Sequence, residues 1–274
     1  MQVRTVRILI LCKTYPSPSG KYAETSCVAG MEENGDLIRL FPVPFRLITE
    51  ERQFKKWQWI TAKVRKSAKD HRPESHTILV DTIQRGAEIS TKDNWAERRR
   101  LIDKLVFFSD FKNLNDARAS HNRSLGLLKP ARIISLDIAP ASKPSWTPEE
   151  LTKLEQDQKQ AGLFDEREAK VIKTLRKIPF DFYYSYVCDT GAGPAIYKHK
   201  IVDWEAGALY WNCIRDHGQD WERAFRFQME TRLPSQDLML LMGNIHRFPD
   251  QWLIVSLIYP PTLSVGGGHQ GELF

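Results

Sequence analysis

The segment from Trp57 to Arg65 combines aromatic rings and cations at the spacing of a β-strand. Alternate side chains of a strand point to opposite sides, so Ile60 and Val64 would face a core while the rings and cations share the other face. Rings on such a face could stack on bases and cations could follow phosphates. The predicted nucleic-acid-binding residues are Trp57, Trp59, Lys63, Arg65, Lys66 and Arg72. The alternative is that the tryptophans pack under a covering helix and the lysines only solvate the surface.

A polar loop follows this segment and holds Asp70, His71 and Glu74 within five residues. A carboxylate beside an imidazole could act as a general base or hold a metal ion, so these three residues are the candidate catalytic groups. The alternative is a salt-bridged turn that Pro73 stiffens. The sequence leaves open whether the chain is an enzyme, and a divalent metal is expected only if it is one.

Four thiol and imidazole groups in the second half could bind zinc in a tetrahedral site. Cys213 and His217 are four residues apart on a predicted helix and would lie on one side of it. The other two candidates are Cys188 and His199, whose interval is long for a zinc-binding pair. Buried thiols and a surface histidine are the simpler interpretation, and no cofactor is expected.

The last residues of the sequence place Leu273 and Phe274 behind three consecutive glycines. A glycine-rich segment behaves as a flexible tether, and two apolar side chains at its tip favour a partner that buries them. The pattern of Gln270, Leu273 and Phe274 resembles the peptides by which bacterial replication and repair proteins bind the sliding clamp. That resemblance implies a glutamine at the rim of an apolar pocket and a Leu-Phe pair inside it. The alternative is a disordered tail.

Charge is distributed unevenly along the 274 residues, whose formal net charge is +6. Residues 1–140 contain 25 lysines and arginines against 16 acidic residues, whereas residues 141–274 contain 15 against 18. A basic first half favours a polyanionic partner. The absence of an eighteen-residue apolar run argues against a membrane-spanning helix. Four scattered cysteines indicate a reducing, cytoplasmic setting.

An α+β fold would position these groups. An apolar run near the start, a hairpin at Asn34-Gly35 and further alternating segments predict a β-rich barrel or curved sheet with helical insertions, and a smaller α+β domain would follow it. The predicted parts are residues 1–138 as a basic nucleic-acid-binding domain, 139–148 as a proline-containing linker, 149–261 as the α+β domain and 262–274 as the flexible tail with its docking peptide.

Two acidic positions indicate helix starts in this fold. Asp93 suits the N-cap of a helix over residues 94–108. Asp203 and Glu205 open a second helix that would continue toward Met229 with a break at Gly218, because acidic side chains complement the positive end of a helix. Both acids of that second helix are expected to serve capping before catalysis.

Four stretches of the chain resemble an uncharacterised family of bacterial proteins associated with mobile elements and phage-defence islands. They are residues 13–16 (Lys-Thr-Tyr-Pro), 36–46, 201–205 and 248–261. The resemblance names no activity and implies a setting in genome defence. It also implies a cysteine and histidine cluster ahead of Asp203, of which this chain keeps Cys188 and His199.

These features together predict a bacterial, DNA-associated protein of genome defence or DNA repair. Its basic first half would bind nucleic acid, and its last residues would recruit it to the sliding clamp. One alternative is a metal-dependent nuclease or another nucleic-acid-processing enzyme. Another is a subunit of a defence complex that has partner proteins but no chemistry of its own.

Overall fold

A five-stranded barrel forms the first part of the structure, a computed structural model that describes residues 2–17, 25–152 and 175–263. Its sheet contains β1 (Val3–Lys13), β2 (Ser26–Glu32), β3 (Leu37–Val43), β4 (Gln58–Lys66), β5 (Ser75–Ile78) and β6 (Gln84–Glu88). The strand order is β1-β2-β3-β5-β4, and β1 also pairs with β4, which closes five strands into a barrel that β6 extends from β4. β3 and β5 run parallel, whereas β1 and β4 run antiparallel. This five-stranded arrangement matches an OB-type Greek-key barrel.

A second, mixed sheet follows the barrel. It contains β7 (Phe107–Phe108), β8 (Leu125–Leu128), β9 (Arg132–Pro140), β10 (Phe180–Thr190), β11 (Gly193–Ile201), β12 (Met239–Ile245) and β13 (Phe248–Ile258). Their order is β7-β8-β12-β13-β11-β10-β9. The fold class is therefore α+β, as the sequence predicts.

Helices lie between the strands of both parts. They are α1 (Lys92–Ile102), α2 (Phe111–His121), α3 (Trp204–His217), α4 (Trp221–Arg226) and a π-helical turn (Phe227–Arg232). Short 3-10 turns cover Glu50–Arg52, Val80–Thr82 and Gly218–Asp220. Across the described ranges, no helix is both long and apolar enough to cross a bilayer. Asp93 is not the N-cap expected from the sequence, because its own φ is +52° inside the range of α1.

Three apolar layers fill the barrel, the space between the two sheets, and the space between the second sheet and its helices. In β1, Ile8 and Ile10 point into the barrel, whereas Leu9 and Leu11 point toward the second sheet. The same alternation in β12 sends Leu241 toward the barrel and Leu240 toward the helices on the far side. Strands buried on both faces read as continuous apolar runs, which explains why the start of the chain shows no clear alternation of polar and apolar residues.

The division between the two parts lies earlier in the chain than predicted. Phe107–Phe108 and Leu125–Leu128 already belong to the second sheet, and Arg132–Pro140 pairs with β10 there. The predicted first domain, residues 1–138, thus includes strands of the second sheet, and the second part is the larger one. Strand patterns are local, whereas sheet membership depends on partners far away in the sequence.

Candidate nucleic-acid interface

Trp57 and Trp59 are buried, with 4% and 7% of their surfaces exposed. Both pack in the apolar layer between the barrel and the second sheet. The ring of Trp57 meets that of Trp95 edge to face at 5.6 Å between centroids, and the Arg98 guanidinium lies 4.9 Å from the Trp57 centroid. Both rings are therefore covered within the protein, and α1, which carries Trp95 and Arg98, lies against that of Trp57, as in the alternative of a covering helix.

The cations of the same strand do reach the surface. Lys63 and Arg65 are exposed on the outside of the barrel. Residues opposite one another on paired strands point to the same side, and Lys63 lies opposite Thr5 while Arg65 lies opposite Val3 and Thr77. We call this surface the outer strand face. It comprises Val3, Thr5, Arg7, Thr61, Lys63, Arg65, Thr77 and Gln84.

The outer strand face combines cations with short polar side chains. Within the ranges that the structure describes, neither Lys63 nor Arg65 forms an ion pair. By contrast, Arg7 binds Glu33 at 2.7 Å and lies over the Trp59 ring, 4.7 Å from its centroid. Exposed cations beside hydroxyl and amide groups can bind phosphate oxygens. The eight residues of this face include no aromatic ring, so it offers contacts to phosphate and not to the faces of bases.

Lys66 and Arg72, which the sequence assigns to the same interface, are engaged within the protein. Arg72 is buried and donates to the carbonyl and side-chain oxygens of Asn244, at 2.7 and 2.9 Å. The Lys66 ammonium donates to the backbone oxygens of Arg72 and Pro73 at 2.6 and 2.5 Å. Asn244 belongs to β12, so Arg72 ties the loop between β4 and β5 to the second sheet. The guanidinium of Arg72 is therefore engaged in contacts within the protein and is not exposed at a surface.

The candidate catalytic residues Asp70 and Glu74 also help to hold the loop between β4 and β5 in place. Burial opposes ionisation of Asp70, but hydrogen bonds led by that from Arg72 outweigh it and lower the pKa of Asp70 to about 2. Glu74 accepts hydrogen bonds from the backbone and hydroxyl of Ser124 at 2.9 and 2.8 Å. His71 is exposed. A general base is most effective when its pKa lies near the working pH, so the geometry supports the salt-bridged turn.

The candidate zinc ligands are dispersed. Cys188 and Cys213 lie in the apolar core between the second sheet and its helices. The Nδ1 atom of His199 is 2.9 Å from the Tyr186 hydroxyl, and burial lowers the pKa of His199 to about 4. His217 is exposed at the end of α3. In the part of the chain that the structure describes, no three Cys, His, Asp or Glu side chains are grouped to hold a metal, so these four do not form one site.

Lys56 is the charged residue that sequence reasoning missed. It is only one of eight basic residues between Arg52 and Arg72 in the sequence, yet its side chain is only 7% exposed in the structure. Its ammonium donates to Glu205 and to the Leu257 carbonyl, both at 2.7 Å. Burial opposes its charge, but the nearby carboxylates outweigh burial and raise its pKa. Lys56 and Glu205 are 149 residues apart, so no local pattern could have paired them.

Asp203 performs the capping role that the sequence predicts. Its carboxylate accepts the backbone N–H of Glu205 at 2.8 Å at the start of α3. The second oxygen accepts the backbone N–H of Leu257 on β13 at 2.8 Å. Asp203 therefore fixes the start of α3 against the second sheet and places Glu205 next to Lys56.

No curated protein matches the chain. A solved structure described as "Structure and Conformational Change of a Replication Protein A Heterotrimer Bound to ssDNA" aligns with 94% of this chain at 9% identity and a TM-score of 0.26. The alignment spans 66% of that longer chain, just under two thirds of it. At this TM-score the likeness is too low to bear on function.

Two family models divide the chain close to the boundary between its sheets. The model described as Domain of unknown function (DUF8758) matches residues 4–104, which cover the barrel sheet from the second residue of β1 onward, together with α1. The model described as Domain of unknown function (DUF8757) matches residues 109–274, more than half of the chain. This protein therefore belongs to the family described as Domain of unknown function (DUF8757).

Proposed function

We propose that this protein binds nucleic acid at the outer strand face and contacts it through phosphates. The observation that carries the proposal is the pair of exposed cations, Lys63 and Arg65, that have no ion-pair partner in the described ranges. Threonine side chains stand opposite both cations on neighbouring strands. The excess of basic residues in the first half would attract a polyanion to this side of the molecule.

The buried tryptophans change the expected mode of binding. Contacts to phosphates position a protein on nucleic acid but carry little sequence information. Because Trp57 and Trp59 are covered, the outer strand face should bind different sequences with similar affinity. It should also lose affinity as salt rises, since cations on the protein release counterions from the phosphates.

The test is the salt dependence of binding to a labelled DNA, measured by fluorescence anisotropy for the native protein and for Lys63→Ala/Arg65→Ala. Each lost phosphate contact lowers the slope of log affinity against log salt by about 0.7–0.9. The double variant should therefore show a slope smaller by about 1.4–1.8, together with weaker binding at low salt.

The matched control is Arg223→Ala/Arg247→Ala, which removes the same charge from two exposed positions of the second part. Its slope should equal that of the native protein. Equal losses in the two double variants, or a native affinity that does not change with salt, would show that the outer strand face is not the binding surface.

We further propose that the ligand is DNA and that Gln270, Leu273 and Phe274 recruit the protein to the sliding clamp, in genome defence or repair. The sequence resemblance of the docking peptide supports this part of the proposal. No observation favours a metal-dependent nuclease. The Asp70 carboxylate accepts a hydrogen bond from Arg72, and the Glu74 carboxylate accepts two from Ser124.

A further inference from the structure

A cavity of about 410 Å³ lies outside the loop between β4 and β5, which contributes none of its lining residues. The start of α3, the π-helical turn and the end of β13 surround it, and Trp95 of α1 completes its wall. Its volume falls within the range of about 300–1,000 Å³ that small-molecule sites occupy. The side chains that bear on the inference are Trp95, Glu205, Met229, Arg232, Leu233 and Tyr259.

Two aromatic rings form one side of the cavity. The centroids of Trp95 and Tyr259 are 5.8 Å apart, with an angle of 49° between their planes. Trp95 has a φ of +65°, which is unusual for a bulky residue. Strained backbone and π-helical turns both occur frequently at ligand sites, and here both border the same cavity. The rings provide a surface for a flat, conjugated ligand.

A fixed carboxylate provides the polar contact of the cavity. One oxygen of Glu205 accepts a hydrogen bond from buried Lys56 at 2.7 Å, which holds the side chain in place. In the described part of the chain, the other oxygen accepts no hydrogen bond from a protein donor. The same ammonium lies 4.0 Å from Asp203, so two carboxylates share the charge of Lys56. The available oxygen of Glu205 can accept a hydrogen bond from an N–H donor of a ligand.

A cation stands at another point of the cavity wall. Arg232 is exposed, and its Nη1 atom donates to the Gln228 side chain at 3.1 Å. Within the described ranges it forms no ion pair. The planar guanidinium has further N–H donors that match the oxygens of a phosphate.

We propose that this cavity binds a guanine nucleotide, with the base against Trp95 and Tyr259 and the phosphate on Arg232. Guanine carries N–H donors on one edge, and one of them can donate to the available oxygen of Glu205 while the other oxygen stays bound to Lys56. The nucleotide could be free or could be an unpaired residue of a nucleic-acid strand. This inference does not depend on the outer strand face.

The test is calorimetric titration of the full chain with GMP and with guanosine. Arg232→Ala should weaken GMP binding about tenfold and leave guanosine binding unchanged, because only GMP has a phosphate. Glu205→Gln should weaken both ligands. Arg223→Ala, an exposed arginine outside the cavity, is the matched control and should bind both ligands as the native protein does.

The proposal is overturned if GMP binds more weakly than about 1 mM, or if Arg232→Ala and Arg223→Ala give the same GMP affinity. The melting temperature of each variant shows whether it is folded. If Glu205→Gln is unstable, the comparison of Arg232→Ala with the native protein still tests the proposal, because Arg232 is exposed. Competition by a short guanine-containing single strand identifies a strand as the source, whereas GMP binding without such competition identifies the free nucleotide. Lys63→Ala/Arg65→Ala should leave GMP affinity unchanged, which separates this result from the outcome at the outer strand face.

Discussion

Arg72 shows how strongly the surroundings of a residue decide its role. In sequence it is one cation in a basic segment, and in the structure it joins Asp70 in its own loop to Asn244 in the second sheet. Hydrogen bonds of this kind compensate for the burial of a charged side chain. A cation that is buried in this way is not available at the surface to bind a phosphate, so the count of basic residues overstates the interface.

The lowered pKa of Asp70 predicts a specific dependence of stability on pH. Its folded pKa of about 2 lies below the ordinary value of 3.8, so its ionised form stabilises the fold above about pH 4. That contribution should disappear as pH falls from about 4 to about 2. Urea unfolding of native protein and Asp70→Asn should therefore show a difference in the free energy of unfolding that is largest near neutral pH and shrinks over this interval.

Asp189→Asn is the control for this measurement, because Asp189 is exposed and forms no ion pair in the described ranges. A difference between native protein and Asp70→Asn that stays constant from pH 7 to about pH 2 would contradict the role assigned to the Arg72 hydrogen bonds.

The hairpin of β2 and β3 is the element that the sequence predicts most fully. Asn34 accepts a hydrogen bond from the backbone N–H of Asp36 at 3.1 Å, and Gly35 has a φ of +94°. Both features follow from residue types that favour tight turns. The turn is a local structure, and this is why local residue types were sufficient to predict it.

Gly35→Ala should weaken this hairpin and the packing beneath it. A Cβ atom at position 35 would lie 2.6 Å from the Lys104 carbonyl oxygen, and its backbone angle disfavours other residues. We expect the free energy of unfolding, measured in urea, to fall by about 1–3 kcal/mol.

Gly191→Ala is the matched control for the hairpin, because a Cβ atom there meets nothing within 4 Å. Its effect on the free energy of unfolding should stay within about 1 kcal/mol. Equal effects of the two substitutions would mean that neither the turn nor the contact with Lys104 constrains position 35.

For strand β4, the local sequence predicts which face each side chain is on but not what covers that face. Its alternation correctly separates Ile60 and Val64 in the barrel from Lys63 and Arg65 on the outside. The same alternation cannot show that a second sheet covers Trp59, because that sheet is built from residues beyond 106. Of the residues predicted to form the interface, Lys63 and Arg65 are exposed, whereas Trp57 and Trp59 are buried.

At the scale of the whole molecule, the docking peptide would add a second attachment to DNA. Linking two weak contacts can raise apparent affinity by about 10²–10⁴ where the geometry allows both. The outer strand face and the peptide would then act together, each with modest affinity of its own.

Binding of the full chain to purified bacterial sliding clamp tests this arrangement, with surface plasmon resonance as the measurement. Leu273→Ala/Phe274→Ala should abolish binding, because burial of each side chain contributes about 1.5–3 kcal/mol. Glu272→Ala, which lies between the matching positions, should bind as the native chain does. Clamp binding that survives the double substitution would rule out this peptide as the attachment point.

One face of the barrel is buried against the second sheet of the same chain. OB-type barrels commonly hold ligands on the face of β2 and β3, and here Ala29 and Met31 of β2 pack in the layer against the second sheet. The second sheet thus covers the surface on which such barrels commonly bind ligands. A barrel that is separated from the second sheet would expose these apolar side chains to water, so an excised barrel needs polar replacements on this face to stay in solution.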